Sequence, residues 1–402
     1  MTGSASATPL LVRDARVVTM TDRGTLERGS VLMESGRVTA VAPDLEAPEG
    51  AEVIEADGRV CMPGFVDAHT HALWAGDRLD EFAAQCAGAS YLEVLAAGGG
   101  IMSTVRAVRA TPVEELSEAL GARLRRMLAA GTTTMEVKSG YGLSTEHELR
   151  ALHAIQDAAS SFPGTVVPTA LIGHAIDPDV PDFVDRTIAE TLPAVSERFP
   201  GVTLDAYCER SAWSLDDCVR LFEAGRARGH PFRVHADQFT PLGMTEWAAD
   251  HGAVSVDHLE ASTPEGLLRL ARSGTFAVML PACGLHLDDR YPDGRGFLDV
   301  EGGSSRLVIA TNYNPGSAPT FSMPLIVALA VRKLRLTIDE ALRACTVGAA
   351  RLLGFEDRGV LAAGVRADCL LLRHRDERAI AHEIGTDPVD VVVCAGRVQR
   401  RT

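Results

Sequence analysis

Apolar and polar positions alternate or cluster in short runs near the N-terminus. Leu10–Thr19, Ser30–Val41 and Ala51–Met62 read as strands, separated by turns at Glu34-Ser35-Gly36-Arg37 and Ala56-Asp57-Gly58-Arg59. This all-β texture stops at Pro63-Gly64. From Phe65 the pattern changes to short apolar runs alternating with helix-period stretches. Phe65–Ala68, Gly131–Val137, Gly164–Ile172, Val202–Tyr207, Phe232–Ala236, Ala253–His258, Thr275–Leu280 and Arg306–Ala310 give eight strand candidates. Between them Pro112–Ala130, Glu146–Ser160, Asp179–Phe199, Ser214–Gly229 and Thr263–Ser273 carry helical periodicity. Alternating β and α over about 250 residues predicts an α/β fold, a (β/α)8 TIM-like barrel. Helices follow at Ser322–Arg335 and Thr337–Leu353, and then the β texture returns. Gly359–Leu372 reads as a hairpin and Val391–Val398 as a final strand. Both termini are therefore expected to form one small β-sandwich domain. Its parts are 1–62 and 357–402, with the barrel over 63–356.

Composition narrows the class. The 402 residues are 46% hydrophobic and 23% charged, which suits a soluble globular enzyme and excludes disorder. A net charge of −15 argues against nucleic acid or an anionic membrane surface as partner. Apolar runs fall far short of the roughly 20 residues a membrane helix needs. The first residues carry no basic segment before a long apolar core, so no secretory signal is read, and a cytoplasmic location is expected. Eight cysteines without a Cys-x-x-Cys pair read as small buried side chains in a reducing compartment, not as a thiolate metal site. Lys138 and Lys333 are the only lysines among 39 basic residues, which singles out Lys138 beside a predicted strand.

The sharpest chemical signal is Asp67-Ala68-His69-Thr70-His71. On a strand, residues i and i+2 face the same side. His69 and His71 at the C-terminal end of the first barrel strand would aim into the mouth, where this fold keeps its active sites. Imidazole suits zinc, iron and similar metals. His235 closes the run Phe232–Ala236 and can add a third ligand from another strand end. His258 closes Val254–Asp257 in the same manner. Arg78, seven residues after His71, could clamp a carboxylate through its planar fork.

PGFVDAHTHALWAGDR resembles the first barrel strand of the amidohydrolase superfamily, whose members hydrolyse C–N bonds on a metal. AGGGIMSTV (97–105), KSGYGL (138–143), GHA (173–175), HADQ (235–238), VDHLE (256–260) and NPGS (314–317) extend the resemblance to the imidazolonepropionase family over nearly the whole chain. That resemblance implies opening of 4-imidazolone-5-propanoate to N-formimidoyl-L-glutamate in histidine degradation. It implies one Zn(2+) or Fe(3+) per subunit, a small-molecule substrate and a homodimer. It also implies substrate contacts at Arg78, Tyr141, His174, Gln238, Asn314, Gly316 and Ser317, with His258 facing the reacting group. Lys138 belongs to the KSGYG loop of that family, which uses one metal, so it is not read as a bridge between two metals.

Two positions depart from the pattern. Gln238 stands where many relatives have Glu, and an amide can only orient groups by hydrogen bonding. Asn312 stands where relatives usually have an Asp that ligates the metal and accepts a proton. Its amide oxygen ligates weakly and cannot act as a base. The leading expectation is a mononuclear metal hydrolase with His69, His71, His235 and Asn312 around the metal, and with His258, Gln238 and Asn312 at the reacting group. The alternatives are an amidohydrolase acting on another small acidic cyclic amide and a paralogue that binds ligand without turnover.

Overall fold

The computed structural model describes residues 8–88, 99–210 and 212–401; Ala97 and Gly98 of the AGGGIMSTV motif lie outside them. Among the described residues, sixteen strands form two sheets. The first five are β1 (Leu10–Val18), β2 (Thr25–Glu34), β3 (Arg37–Ala42), β4 (Glu52–Glu55) and β5 (Val60–Pro63). The next eight are β6 (Phe65–Asp67), β7 (Thr132–Lys138), β8 (Thr165–Gly173), β9 (Thr203–Cys208), β10 (Val234–Ala236), β11 (Ser255–His258), β12 (Phe276–Met279) and β13 (Leu307–Ile309). The last three are β14 (Cys369–Leu372), β15 (Val389–Cys394) and β16 (Arg397–Arg401).

Strands β6 to β13 are parallel neighbours in chain order, the arrangement expected of a (β/α)8 barrel. A parallel bridge between Thr70 and Tyr313 brings the two edge strands together. Across that seam Asn312 N donates to His69 O and His71 N donates to Tyr313 O, each at 3.0 Å. Thr311 N donates to Asp67 Oδ1 at 3.1 Å, and its hydroxyl donates to the other carboxylate oxygen. Burial pushes the Asp67 carboxyl up to about 7, against the pull of these hydrogen bonds.

The second sheet has the order β16-β15-β14-β5-β1-β2-β3, with β4 also on β1, so it is built from both ends of the chain. Its alternation divides two cores. Cys61, Leu371, Val391 and Val393 join Leu10, Val12, Val31 and Ile54 in a small core of the sheet's own. Val60, Met62, Leu370, Leu372 and Val392 point the other way, into the core shared with the barrel.

Four local expectations change. Gly359–Asp368 forms no hairpin arm with β14. Its backbone bonds to the N-terminal strands instead: Leu361 N to Thr19 O, Gly364 N to Val38 O and Ala367 N to Gly36 O. Val391–Val398 is two strands, because Ala395 and Gly396 both take positive φ (49° and 73°) and reverse the chain. Thr337–Leu353 is two helices, Ile338–Ala344 and Val347–Leu352, because the Cys345 carbonyl turns out to accept from Val66 N at 2.9 Å. Asp179–Phe199 starts its helix only at Phe183 and widens to a π turn over Thr187–Thr191.

Candidate metal centre and active site

The barrel strands place three imidazoles together. His69 and His71 follow β6, and His235 lies on β10; all three are buried. The His71 Nε2 atom is 3.3 Å from His69 Nε2 and 3.2 Å from His235 Nε2. Their opposite edges fix the tautomers. His69 Nδ1 donates to Asp257 Oδ2 at 2.6 Å, and His235 Nδ1 donates to Asp205 Oδ1 at 3.0 Å. The Nε2 lone pairs of His69 and His235 are therefore free and converge on His71. His71 Nδ1 is buried without a partner. Burial, followed by neighbouring cationic groups, holds all three imidazoles well below their usual protonation range. Neutral nitrogen donors converging from two strands fit one metal ion that prefers imidazole.

A charged layer lies beneath them, and sequence reading missed it. Lys138 Nζ donates to Glu136 Oε1 and Asp205 Oδ2, both at 2.8 Å, and is fully buried. Glu136 Oε2 accepts from Thr70 N at 3.0 Å. Arg233 donates from Nε to Asp257 Oδ2 at 3.0 Å and from a terminal nitrogen to Ala68 O at 2.9 Å. Lys138 is thus a buried ammonium that braces the carboxylates behind the imidazoles, with its nitrogen engaged away from any bridging role. Each of these charged residues sits in an apolar run, which was the available signal. Its meaning depends on strand register, which pairs His235 with Asp257 across β10 and β11.

The remaining expected residues gather at the same mouth. His174 stacks on His71 with ring centroids 5.0 Å apart, and Tyr141 lies 5.1 Å from His174. His174 Nδ1 donates to Gly140 O at 2.9 Å, and burial lowers its pKa to about 4, so Nε2 is left as an acceptor. Glu148 shapes the loop that carries Tyr141. Its carboxylate accepts from Gly140 N, Gly142 N and Leu143 N at 2.9, 2.7 and 2.9 Å. Arg109 grips the same loop through the carbonyls of Gly142 and Leu143, both at 2.8 Å.

Arg78 lies against the NPGS turn, where a Cβ on Gly316 would come within 3.1 Å of its guanidinium. It is already forked onto Glu81. The turn itself is bonded internally. Asn314 Oδ1 accepts from Gly316 N (2.8 Å) and Ser317 N (2.7 Å), while its Nδ2 donates to Asn312 O (2.6 Å) and Ser317 Oγ (2.9 Å). The Asn314 amide therefore holds the turn in shape. Gln238 Oε1 accepts from the Tyr207 hydroxyl at 2.8 Å.

Asn312 has a positive φ of 54° and is buried. Its Nδ2 donates to Cys283 Sγ at 2.8 Å, and its Oδ1 has no partner. His258 also has a positive φ, 89°, and its Nδ1 lies 3.1 Å from Glu260 Oε1. Burial lowers the His258 pKa, but Glu260 and Cys283 outweigh it and bring the group up to about 10. Glu260 and Cys283 were not singled out in the sequence, although Glu260 stands two residues from His258 in VDHLE.

No family model matches the chain. Among curated relatives, the chain is 43% identical over 381 residues to the imidazolonepropionase of Deinococcus radiodurans, covering 95% of this chain and 94% of the relative. It is 42% identical over 391 residues to that of Herpetosiphon aurantiacus (94% and 91% covered) and 37% identical over 406 residues to that of Geobacillus kaustophilus (98% and 94%). Similar solved structures include N-isopropylammelide isopropylaminohydrolase from Burkholderia multivorans (TM-score 0.73, 21% identity, 98% of both chains). Another is an atrazine chlorohydrolase from Arthrobacter aurescens complexed with zinc (TM-score 0.71, 19% identity, 98% and 96% covered). These structures share the fold.

Proposed function

Because the chain belongs to the imidazolonepropionase family, we propose that it hydrolyses the ring C–N amide bond of 4-imidazolone-5-propanoate to give N-formimidoyl-L-glutamate. The observation that carries the reading is the convergence of three neutral imidazoles at the barrel mouth, beside Arg78 and the NPGS turn. His69, His71 and His235 would hold one Zn(2+) or Fe(3+), which would supply a Lewis acid to polarise the ring carbonyl or the attacking water. Asp257 and Asp205 keep the Nδ1 protons of two of these imidazoles in place, so that Nε2 stays a donor to the metal. Asn312, whose buried Oδ1 has no partner, offers a neutral oxygen beside them.

Arg78 takes the propanoate, a planar carboxylate that matches its fork, and shares itself between the substrate and Glu81. Tyr141 and His174 wall the ring, and His174 Nε2 accepts a hydrogen bond from it. Gln238, held by Tyr207, orients the ring by its amide N–H. Gly316 leaves room for the guanidinium, and Ser317 presents its hydroxyl from a turn that Asn314 keeps shaped. His258, backed by Glu260, delivers a proton to the departing ring nitrogen. The protein works as a cytoplasmic homodimer on a small molecule. No helix among the described residues is long and apolar enough to cross a membrane.

The test is loss of imidazolonepropanoate with purified, metal-loaded protein, together with elemental analysis. About one zinc or iron per chain is expected, lost in His69→Ala and His235→Ala. A second reading rests on the amides at both 238 and 312, which remove two carboxylates from the site: a paralogue that holds ligand without turnover. Tight binding of N-formimidoyl-L-glutamate with no hydrolysis would favour it.

A further inference from the structure

A second cluster of metal-binding atoms stands beside the three imidazoles. His258, Glu260 and Cys283 each offer one ligand atom, and these lie within 4.8 Å of one another. They come from adjacent strand ends: His258 closes β11, Glu260 follows two residues later, and Cys283 lies on the short helix Pro281–His286 after β12. All three side chains are buried. The group shares no residue with the tris-imidazole set but packs against it, the His258 ring centroid lying 5.5 Å from that of His235 and 6.1 Å from that of His69.

We propose that His258, Glu260 and Cys283 form a second, weaker cation site for a thiophilic divalent metal such as zinc or cadmium. Nitrogen, thiolate sulfur and carboxylate oxygen are the mixed donor set that such ions accept. A thiolate and a carboxylate also neutralise a dication. Independent support comes from Asn312. Its buried Oδ1 has no partner, while the other end of the same amide donates to Cys283 Sγ. Half a turn of that amide exchanges Nδ2 for Oδ1 and brings an oxygen donor beside the sulfur as a fourth ligand. Metal binding must displace any proton its ligands carry, so affinity falls below that of the first centre.

A consequence rests on the reading above: an ion held by His258 removes that side chain from proton transfer, so excess metal inhibits hydrolysis. The decisive readout does not depend on activity. The full chain, loaded with one equivalent of zinc, is titrated with cadmium chloride. Thiolate-to-cadmium absorption in the ultraviolet is followed, and both metals are counted after equilibrium dialysis.

A second equivalent is expected with the thiolate band. Cys283→Ser should lose both, and Glu260→Gln should weaken the second equivalent by about tenfold or more, the scale of a lost metal partner. Both variants keep the first equivalent. His69→Ala should lose the first equivalent and retain the band, which separates failure of the tris-imidazole reading from failure of this one. If Cys283→Ser does not fold, His258→Asn and Glu260→Gln serve in its place. The proposal is overturned if no second equivalent binds at millimolar cadmium. It is equally overturned by a band unchanged in Cys283→Ser, which would put the ion on another thiol such as exposed Cys86. A second equivalent lost in Lys138→Ala and kept in Cys283→Ser would also overturn it.

Discussion

Asn312 is where the chemistry turns on a single residue. Its amide donates to a sulfur and leaves an oxygen unpartnered. In Asn312→Asp the donor to Cys283 becomes a second acceptor, and an anion appears beside the metal ligands. Metal binding should tighten. Turnover should rise by about 10²-fold or more if position 312 is where the proton is taken, since a placed base contributes roughly 10²–10⁴-fold. Metal retention under dialysis and single-turnover rates measure the two effects. Unchanged or lower turnover with metal and fold intact would assign the proton route to His258. Arg78→Lys should weaken substrate binding by roughly 1–3 kcal/mol, the scale of charge-assisted hydrogen bonds, with metal content constant. Unchanged KM and kcat in Arg78→Ala would remove Arg78 from the site. The i, i+2 spacing makes His69 and His71 legible in the sequence, and a strand end makes His235 so. Asp205 and Asp257 are not legible as imidazole partners, because a carboxylate in an apolar run has no meaning until the strands are placed side by side.

At the scale of elements, buried carboxylates tie loops that spacing alone leaves loose. Glu148 lies in the first turn of the helix Thr145–Ser160 and accepts three backbone N–H groups of the KSGYGL loop. Glu148→Ala strands those donors, so a stability loss of roughly 2–4 kcal/mol and a raised KM are expected. Thermal unfolding and steady-state kinetics read them separately; a Tm within experimental error of wild type would refute the clamp. Arg16 on β1 makes a two-point pair with Glu377 near the C-terminus, at 2.8 and 2.9 Å. Burial raises the Glu377 pKa, but Arg16 outweighs it and the group sits below its ordinary value. The pair's stabilisation, at most ~1 kcal/mol at this exposure, is therefore complete above the unfolded value of about 4.3 and is lost as pH falls through the lower folded value. Acid unfolding of Glu377→Gln should match wild type at low pH and fall below it near neutrality; a constant offset would contradict this. Strands and helices were readable here because the barrel strands are short apolar runs buried throughout, while the helices bury one side. The reversal at Ala395-Gly396 was not, because an unbroken apolar run leads into it and a single glycine is all that marks it.

The whole molecule couples its site to its closure. His69, His71 and Asn312 flank the seam where the first barrel strand meets the last. A metal held by the histidines with Asn312 as a further ligand would brace the seam, and its removal should loosen it. Chelation should lower Tm, by the equivalent of about 2.7 kcal/mol if metal had been 100-fold above its Kd. Amide exchange should accelerate at His71 and Asn312 before it does in the small sheet. Uniform acceleration throughout would deny the coupling. The barrel was legible from alternation alone, whereas the seam was not, since it depends on backbone bonds between residues some 240 positions apart.

The sheet built from both ends of the chain bears on how the protein is made. On its free side β5 pairs with β14, through Met62 and Leu370 among others. The ribosome delivers that partner roughly 300 residues later, about 15–60 s at ordinary synthesis rates. For that interval the nascent chain carries a strand with one edge unpaired and apolar side chains on both faces. This is the kind of edge that recruits neighbouring polypeptides. The last strands thus act as a late cover, and a chain that stops short of Cys369 is expected to be aggregation-prone even with every proposed active-site residue already synthesised.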